Sequence, residues 1–341
     1  MSAQADERAL DVLIVSLGST AGLRRADEAL ADSLRRAGAS VAIARSQPPP
    51  AIPTMMLTDL AWARSARGAL TRALAQRERN PPRAIVYSSV TAALLWRRPG
   101  AIRFDATSAG NRPGRHGLWQ RPLERVRMRQ ASLLLPWSEG ALAELPGGDR
   151  LAGRAIVLPV PVASSGPPGP ARDIAAITYT ANPRKKGLDR VLAAWRPDFG
   201  ELVLAGASAE ALRAAGFDLA GRPGVRVVGA LAPSEYRALL RRARVFVCAP
   251  RREDYGIAQL EALADGCQLV STPAPGPYAA LPIARELDSR LVDDDLGRAL
   301  RAALEEPRAG YGERAASALE RYGPAGADRV VAERLLPRLL A

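Results

Sequence analysis

Apolar and polar positions along this chain change period again and again, and each change marks an element. Val12 to Leu17 is apolar apart from Ser16, the pattern of a parallel strand covered on both faces. It empties into Gly18-Ser19-Thr20-Ala21-Gly22, after which Leu23, Ala26, Leu30, Leu34 and Ala37 recur at helical spacing. Gly38 closes that helix and Val41 to Ala44 is the next strand, which makes a βαβ unit with a glycine turn at the first strand's carboxyl end. Such a turn alone is weak evidence for phosphate binding, but the helix that follows offers its free amides to an anion.

A proline-rich loop (Gln47 to Thr54) leads into a basic helical stretch that ends near Arg79. Strands are predicted at Ala84 to Tyr87, Ile102 to Asp105, Leu133 to Trp137 and Ile156 to Leu158. Between them lie a turn-rich loop, Ala106 to Gly117, and an arginine-crowded helix, Leu118 to Gln130. Val160 to Pro170 is rich in Pro, Gly and Ser and carries no charge, which makes it a linker. Alternation then restarts, with strands at Ile174–Tyr179, Leu202–Leu204, Val225–Val228, Val245–Val247 and Gln268–Ser271. Helices are expected at Leu188–Trp195, Ala209–Ala215, Ser234–Ala243 and Gly256–Asp265. A length of 341 residues suits two domains. The predicted division is residues 1–162, a linker at 163–170, a second domain at 171–325, and a last helix at 326–341 that packs back on the first domain. The fold class is α/β, two doubly wound Rossmann-like domains whose strand ends face a cleft.

One stretch concentrates the candidate chemistry. The apolar run Val245 to Ala249 ends in Pro250, and Arg251-Arg252-Glu253-Asp254-Tyr255-Gly256 leads into a helix that Gly266 stops. On that helix Ile257, Leu260 and Ala264 form one apolar stripe, and Glu261 falls inside it at about 40° from Ile257. A carboxylate there needs a partner. Two readings stand: a core ion pair, or a side chain that faces a ligand bearing hydroxyls.

Composition narrows the field. At 48% hydrophobic and 24% charged the chain is globular, and it has no run of about 20 apolar residues to span a membrane. Met1 to Leu10 carries acids and no apolar core, which argues against secretion and for a cytoplasmic protein. Cys248 and Cys267 sit at strand ends and read as small core residues. The net charge of +13 is uneven: residues 1–165 hold 23 arginines against 13 acids, and residues 97–129 hold 9 against 2. Such a field can draw in nucleic acid, anionic lipid or a charged acceptor, or merely solvate the surface. Nucleic acid is the poorest fit, since aromatic residues total 5% and no stacking motif is visible. An anionic inner-membrane surface remains a candidate partner for the basic first domain. Of 48 basic residues only Lys185 and Lys186 are lysine, which points to a place where a compact ammonium is needed.

These motifs together resemble the GT-B glycosyltransferases, and within them glycosyltransferase family 4. The resemblance rests on two glutamates separated by seven residues, Glu253 and Glu261, between an apolar strand and Gly266. It rests also on the tetrad Lys186-Gly187-Leu188-Asp189, on Val227-Val228-Gly229, and on the opening glycine turn. It implies a retaining transfer from a nucleotide-sugar donor to an unknown acceptor, with no metal or other cofactor. By resemblance Lys186 contacts the donor diphosphate, with Lys185 and Arg184 beside it, and Glu253 contacts hydroxyls of the transferred sugar. Glu261 accepts from the ribose, Val228 and Gly229 lie by the base, and Tyr255, Gly256 and Ile257 face sugar and phosphates with helix amides. Gly18 and Ser19 close over the phosphates from the other domain.

Three departures mark the chain. Thr180 stands where family members usually place an Arg, and Phe104-Asp105 replaces a His-Asp pair. Pro159-Val160-Pro161 replaces the usual Asn-Gly before the linker. Asp105 is therefore the acceptor-side candidate, with His116 as a second. The alternative function is a catalytically inactive nucleotide-sugar-binding or scaffold protein on the same fold.

Overall fold

The computed structural model describes residues 9–50, 52–145, 151–167 and 172–341. Contacts divide the chain into unit 1, residues 1–161 with 324–341, and unit 2, residues 162–323. Prolines 168 and 170 of the predicted linker lie outside the described residues.

Unit 1 is built on five parallel strands, β1 (Val12–Ser16), β2 (Val41–Arg45), β3 (Ala84–Tyr87), β4 (Ala101–Phe104) and β5 (Leu134–Pro136), ordered β2-β1-β3-β4-β5. The first strand is sealed at every position, as its unbroken apolar run requires. Helix Ala21–Arg36 starts on Thr20, whose hydroxyl accepts from the Leu23 amide, and Leu30 and Leu34 pack it on the sheet. Ile156 to Leu158, expected as a strand, runs extended beside β5: the Leu134 amide donates to the Arg154 carbonyl, the Ile156 amide to that of Leu134 and the Leu158 amide to that of Pro136. Pro159 and Pro161 lack the donors that would lengthen the ladder. The C-terminal segment is helical from Pro324 to Leu340, and Val331 and Leu335 are fully buried with Leu30 and Leu34. Asp328 fixes it further by accepting from Ser33 and Arg36 of the first helix.

Unit 2 repeats the design with β6 (Ile174–Tyr179), β7 (Leu202–Ala205), β8 (Val225–Gly229), β9 (Ala243–Cys248) and β10 (Gln268–Ser271), ordered β10-β9-β6-β7-β8. From β6 the chain first builds one side of the sheet, through β7 and β8. It then returns to pair β9 on the other. The carboxyl ends of β6 and β9 are therefore the point where strand order reverses, the place at which open α/β sheets bind ligands. Three helices at Ala280–Leu287, Leu296–Glu305 and Tyr311–Ala318, to which the sequence reading assigned no element, complete the unit. Both cysteines are buried and unbridged, and burial pushes the Cys267 thiol up to about 12.

Candidate functional site in unit 2

Two loops meet at the reversal point, and glycine decides how closely. Gly187 takes φ +69°, and a β-carbon there would stand 1.8 Å from the Ala249 carbonyl oxygen. No other residue fits, so the lysine–glycine pair exists to lay the β6 loop directly on the end of β9. The Arg251 amide donates to the Lys185 carbonyl at 3.0 Å and zips the loops together.

That approach pairs the two lysines of the chain with two consecutive acids. Lys186 Nζ lies 2.5 Å from Glu253 Oε2, and Lys185 Nζ lies 2.9 Å from Asp254 Oδ2. Burial works against ionising Asp254, but Lys185 and then Arg252 outweigh it and hold the carboxyl below its usual range. Arg251 completes the rim with a two-point bond to Asp189.

Behind Glu253 stands a residue that sequence reasoning misses. Gln259 Nε2 donates to the same oxygen, Glu253 Oε2, at 2.9 Å, so two donors fix one carboxylate oxygen. Gln259 is almost fully buried, with Cys248, Ser271 and Tyr278 hydrogen-bonded together next to it. Burial raises the Cys248 thiol and the Tyr278 phenol, so both stay neutral at pH 7. As a lone polar residue on a short helix, Gln259 gives no signal in sequence.

The helix Ile257–Ala264 begins at Gly256, whose φ of +91° and contact with the Tyr278 ring both require glycine. Tyr255 is buried, and its carbonyl accepts from the Ala279 amide. Glu261 is buried at 5% exposure, with its Oε1 3.8 Å from Arg237 Nη1. Arg237 belongs mainly to Asp265, which it grips at 2.5 and 2.9 Å while donating also to the Ala163 carbonyl. The nearest guanidinium to Glu261 thus stands at an ion-pair distance, longer than a direct hydrogen bond. Val228 and Gly229 end the edge strand β8 and are half-buried.

Not every candidate joins this cluster. The Arg184 guanidinium lies by Gly216 and lines, with Asp189, Phe217 and Arg251, a cavity of about 280 Å³ to which Lys186 and Glu253 contribute nothing. Thr180 is buried and donates its hydroxyl to the Ala205 carbonyl. Gly18, Ser19 and Asp105 belong to unit 1. Gly18 takes φ +59° and its carbonyl accepts from Arg24, while Ser19 is exposed. Asp105 follows β4 and its Oδ1 accepts the Ala106 amide, and His116 is exposed on the turn Gly114–Gly117.

Residues 172–306 match the model of the family described as group 1 glycosyl transferases, a span that holds Lys186, Glu253 and Glu261. No curated protein matches significantly. Among solved structures, WaaG, a glycosyltransferase involved in lipopolysaccharide biosynthesis, superposes with a TM-score of 0.70 at 16% identity, over 95% of this chain and 100% of that one. Anabaena HepE in complex with UDP and glucose gives 0.67 at 13%, over 96% and 99%. Sucrose-phosphate synthase of Thermosynechococcus elongatus gives 0.66 at 16%, over 94% and 96%. At these identities the likeness establishes the fold, which is GT-B.

Proposed function

We propose that the protein is a glycosyltransferase that takes a sugar from a nucleoside-diphosphate donor, with retention of configuration and without a metal. The carrying observation is the Lys186–Glu253 contact at the point where strand order reverses in unit 2. The family match over 172–306 and the HepE complexes with UDP and UDP-glucose support this donor class.

The chemistry follows from the groups present. Cleaving the bond between the anomeric carbon and the diphosphate oxygen leaves its electron pair on the diphosphate. Lys186 keeps two of its three donors for that anion while the third stays on Glu253. Lys185 and the amides that open helix Ile257–Ala264 add to the same field. Glu253, fixed through Oε2, offers Oε1 to hydroxyls of the sugar, and Glu261 offers its carboxylate to the ribose. The acceptor hydroxyl attacks from the face that the diphosphate leaves; its oxygen bonds to the anomeric carbon and its proton passes to the departing diphosphate oxygen. Asp105 is the candidate that meets the acceptor.

A panel of nucleotide sugars scored by thermal shift tests the reading, because a ligand bound only by the native state raises its melting temperature. At 100 times Kd the expected stabilisation is about 2.7 kcal/mol. One nucleotide family should stand out, EDTA should leave the shift unchanged, and the same donor should be consumed in turnover. A panel with no response at all would remove the proposal.

A further inference from the structure

Among the described residues, large apolar side chains that face water are confined to unit 1. They are Met55 (47% exposed), Met56 (36%), Leu57 (46%), Leu118 (66%) and Val126 (41%). The first three open helix Met55–Ala75, and the other two lie in the segment from Gly114 to Gln130. These segments are bolted side by side. Asp59, one turn along from Met55 and Met56, takes Arg112 on both oxygens at 2.6 and 3.0 Å. Arg121 then reaches back to the carbonyls of Arg112 and Gly114.

The charges of the two segments are sorted by direction. Their two carboxylates are both buried and spoken for: Asp59 by Arg112, and Glu124 by the Ser108 amide at 3.0 and 3.1 Å. Arg64, Arg67, Arg72, Arg115, Arg125 and Arg129 all remain exposed. On the helix, Met56, Leu57, Arg64 and Arg67 fall on one stripe at helical spacing. The outer surface is thus apolar at its tip, cationic around it, and free of exposed acid. A surface meant only for water has no need of three consecutive bare methionine and leucine side chains, and a nucleic-acid surface has no use for them either. A bilayer carrying anionic headgroups fits both features, with the apolar tips in the acyl boundary and the guanidiniums among the phosphates.

We propose that the face formed by the start of helix Met55–Ala75 and the Gly114–Gln130 segment docks unit 1 on an anionic lipid bilayer. This stands apart from the donor chemistry, and either reading survives the loss of the other. The test is co-sedimentation of the full chain with vesicles of phosphatidylcholine alone or mixed with phosphatidylglycerol, at low and high salt. The chain is expected to pellet with the anionic vesicles only, and less as salt rises. Replacing Met55, Met56 and Leu57 together by Gln should weaken binding about tenfold or more with an unchanged melting temperature, since all three are exposed. Leu118→Gln, on the other segment, should weaken it in the same direction, and Arg64→Gln and Arg67→Gln about fivefold each. Equal pelleting with both vesicle types, or wild-type binding by the triple variant, would overturn the proposal. So would tighter binding to a DNA duplex than to the vesicles, or a triple variant whose sole effect is to dissolve a dimer in sedimentation velocity.

Discussion

Each unit has five parallel strands and one point where their order reverses, and the two points treat polar side chains in opposite ways. In unit 1 the polar groups under the end of β1 are sealed. Ser16 donates to Asp27 at 2.5 Å, Arg103 lies 3.8 Å from the same carboxylate, and both ionisable side chains are 1% exposed. Arg103 also donates to the Ala26 carbonyl and stacks on Trp137, and burial raises the Asp27 carboxyl. In unit 2 the charges stand at the rim, with the side chains of Lys186 and Lys185 at 22% and 43% exposure. A sealed pair can serve only the fold. An accessible pair, held short of full burial, can be shared with a ligand. That difference separates two clusters that a list of charged residues would rank alike.

The largest effect should come from the sealed side. Arg103→Ala leaves Asp27 buried without its cation and should cost about 3–5 kcal/mol of stability, seen as a lower urea midpoint. Replacing both, Arg103→Met with Asp27→Leu, should recover most of it, because the desolvation cost disappears with the charges. Any donor-induced thermal shift should persist in the double variant. A double variant as unstable as the single one would mean that the pair does more than balance itself.

The accessible side should lose chemistry instead. Lys186→Ala is expected to remove about 1.5–3 kcal/mol of transition-state interaction, a factor of about 10 to 150 in kcat/KM with the responding donor. Its urea midpoint should move much less than that of Arg103→Ala, since Glu253 keeps Gln259. Wild-type turnover by Lys186→Ala would collapse the contrast between the two clusters.

Gln259 sharpens the contrast, being sealed itself yet attached to the accessible pair. Gln259→Leu removes one of two donors from Glu253 Oε2 and should lower kcat about tenfold or more, the weight of one hydrogen bond to a charged group. Gln259→Glu makes a signed prediction. Two facing carboxyls beside Lys186, Cys248 and Tyr278 share a proton, which raises the titration of the pair. Below that value the introduced carboxyl still carries its proton and donates as the amide did, so turnover approaches that of wild type. Above it the proton is lost, the carboxylates repel, and turnover falls as pH rises. A flat ratio of variant to wild type across pH would leave Gln259 with a packing role only.

What the sequence disclosed and what it hid divides along the range of the interactions. Lys186, Gly187, Glu253 and Glu261 were legible because each sits in a short run whose spacing is fixed by a strand end and a helix start. The strands of both sheets were legible because burial on both faces leaves apolar runs. Gln259 and Arg237 were not, since what gives each its place is a contact across the fold, and Arg237 is one of 46 arginines. By resemblance Arg184 stands beside Lys186 at the diphosphate, but the Arg184 side chain lies by Gly216, off the lysine cluster. The direction of a side chain at a loop was beyond any pattern of residue types.

Asp189 is the smallest and most exacting case. It closes the Lys186-Gly187-Leu188-Asp189 tetrad, so sequence alone ranks it with Lys186. In the fold its carboxylate is 45% exposed and is taken by Arg251, itself 48% exposed. An ion pair that open to water is worth within about 0.5 kcal/mol, and less at high salt. The Arg251 hydrogen bond holds Asp189 below its usual range. Its contribution is therefore present above the unfolded carboxylate value and is lost as pH falls through the lower folded one. Asp189→Asn should melt slightly below wild type at neutral pH and level with it in acid, with donor turnover unchanged. If this substitution cut turnover as deeply as Lys186→Ala, the tetrad would act as a unit. Exposure with a committed partner would then no longer mark a residue as a bystander, and the distinction between the two clusters would need a criterion other than access to water.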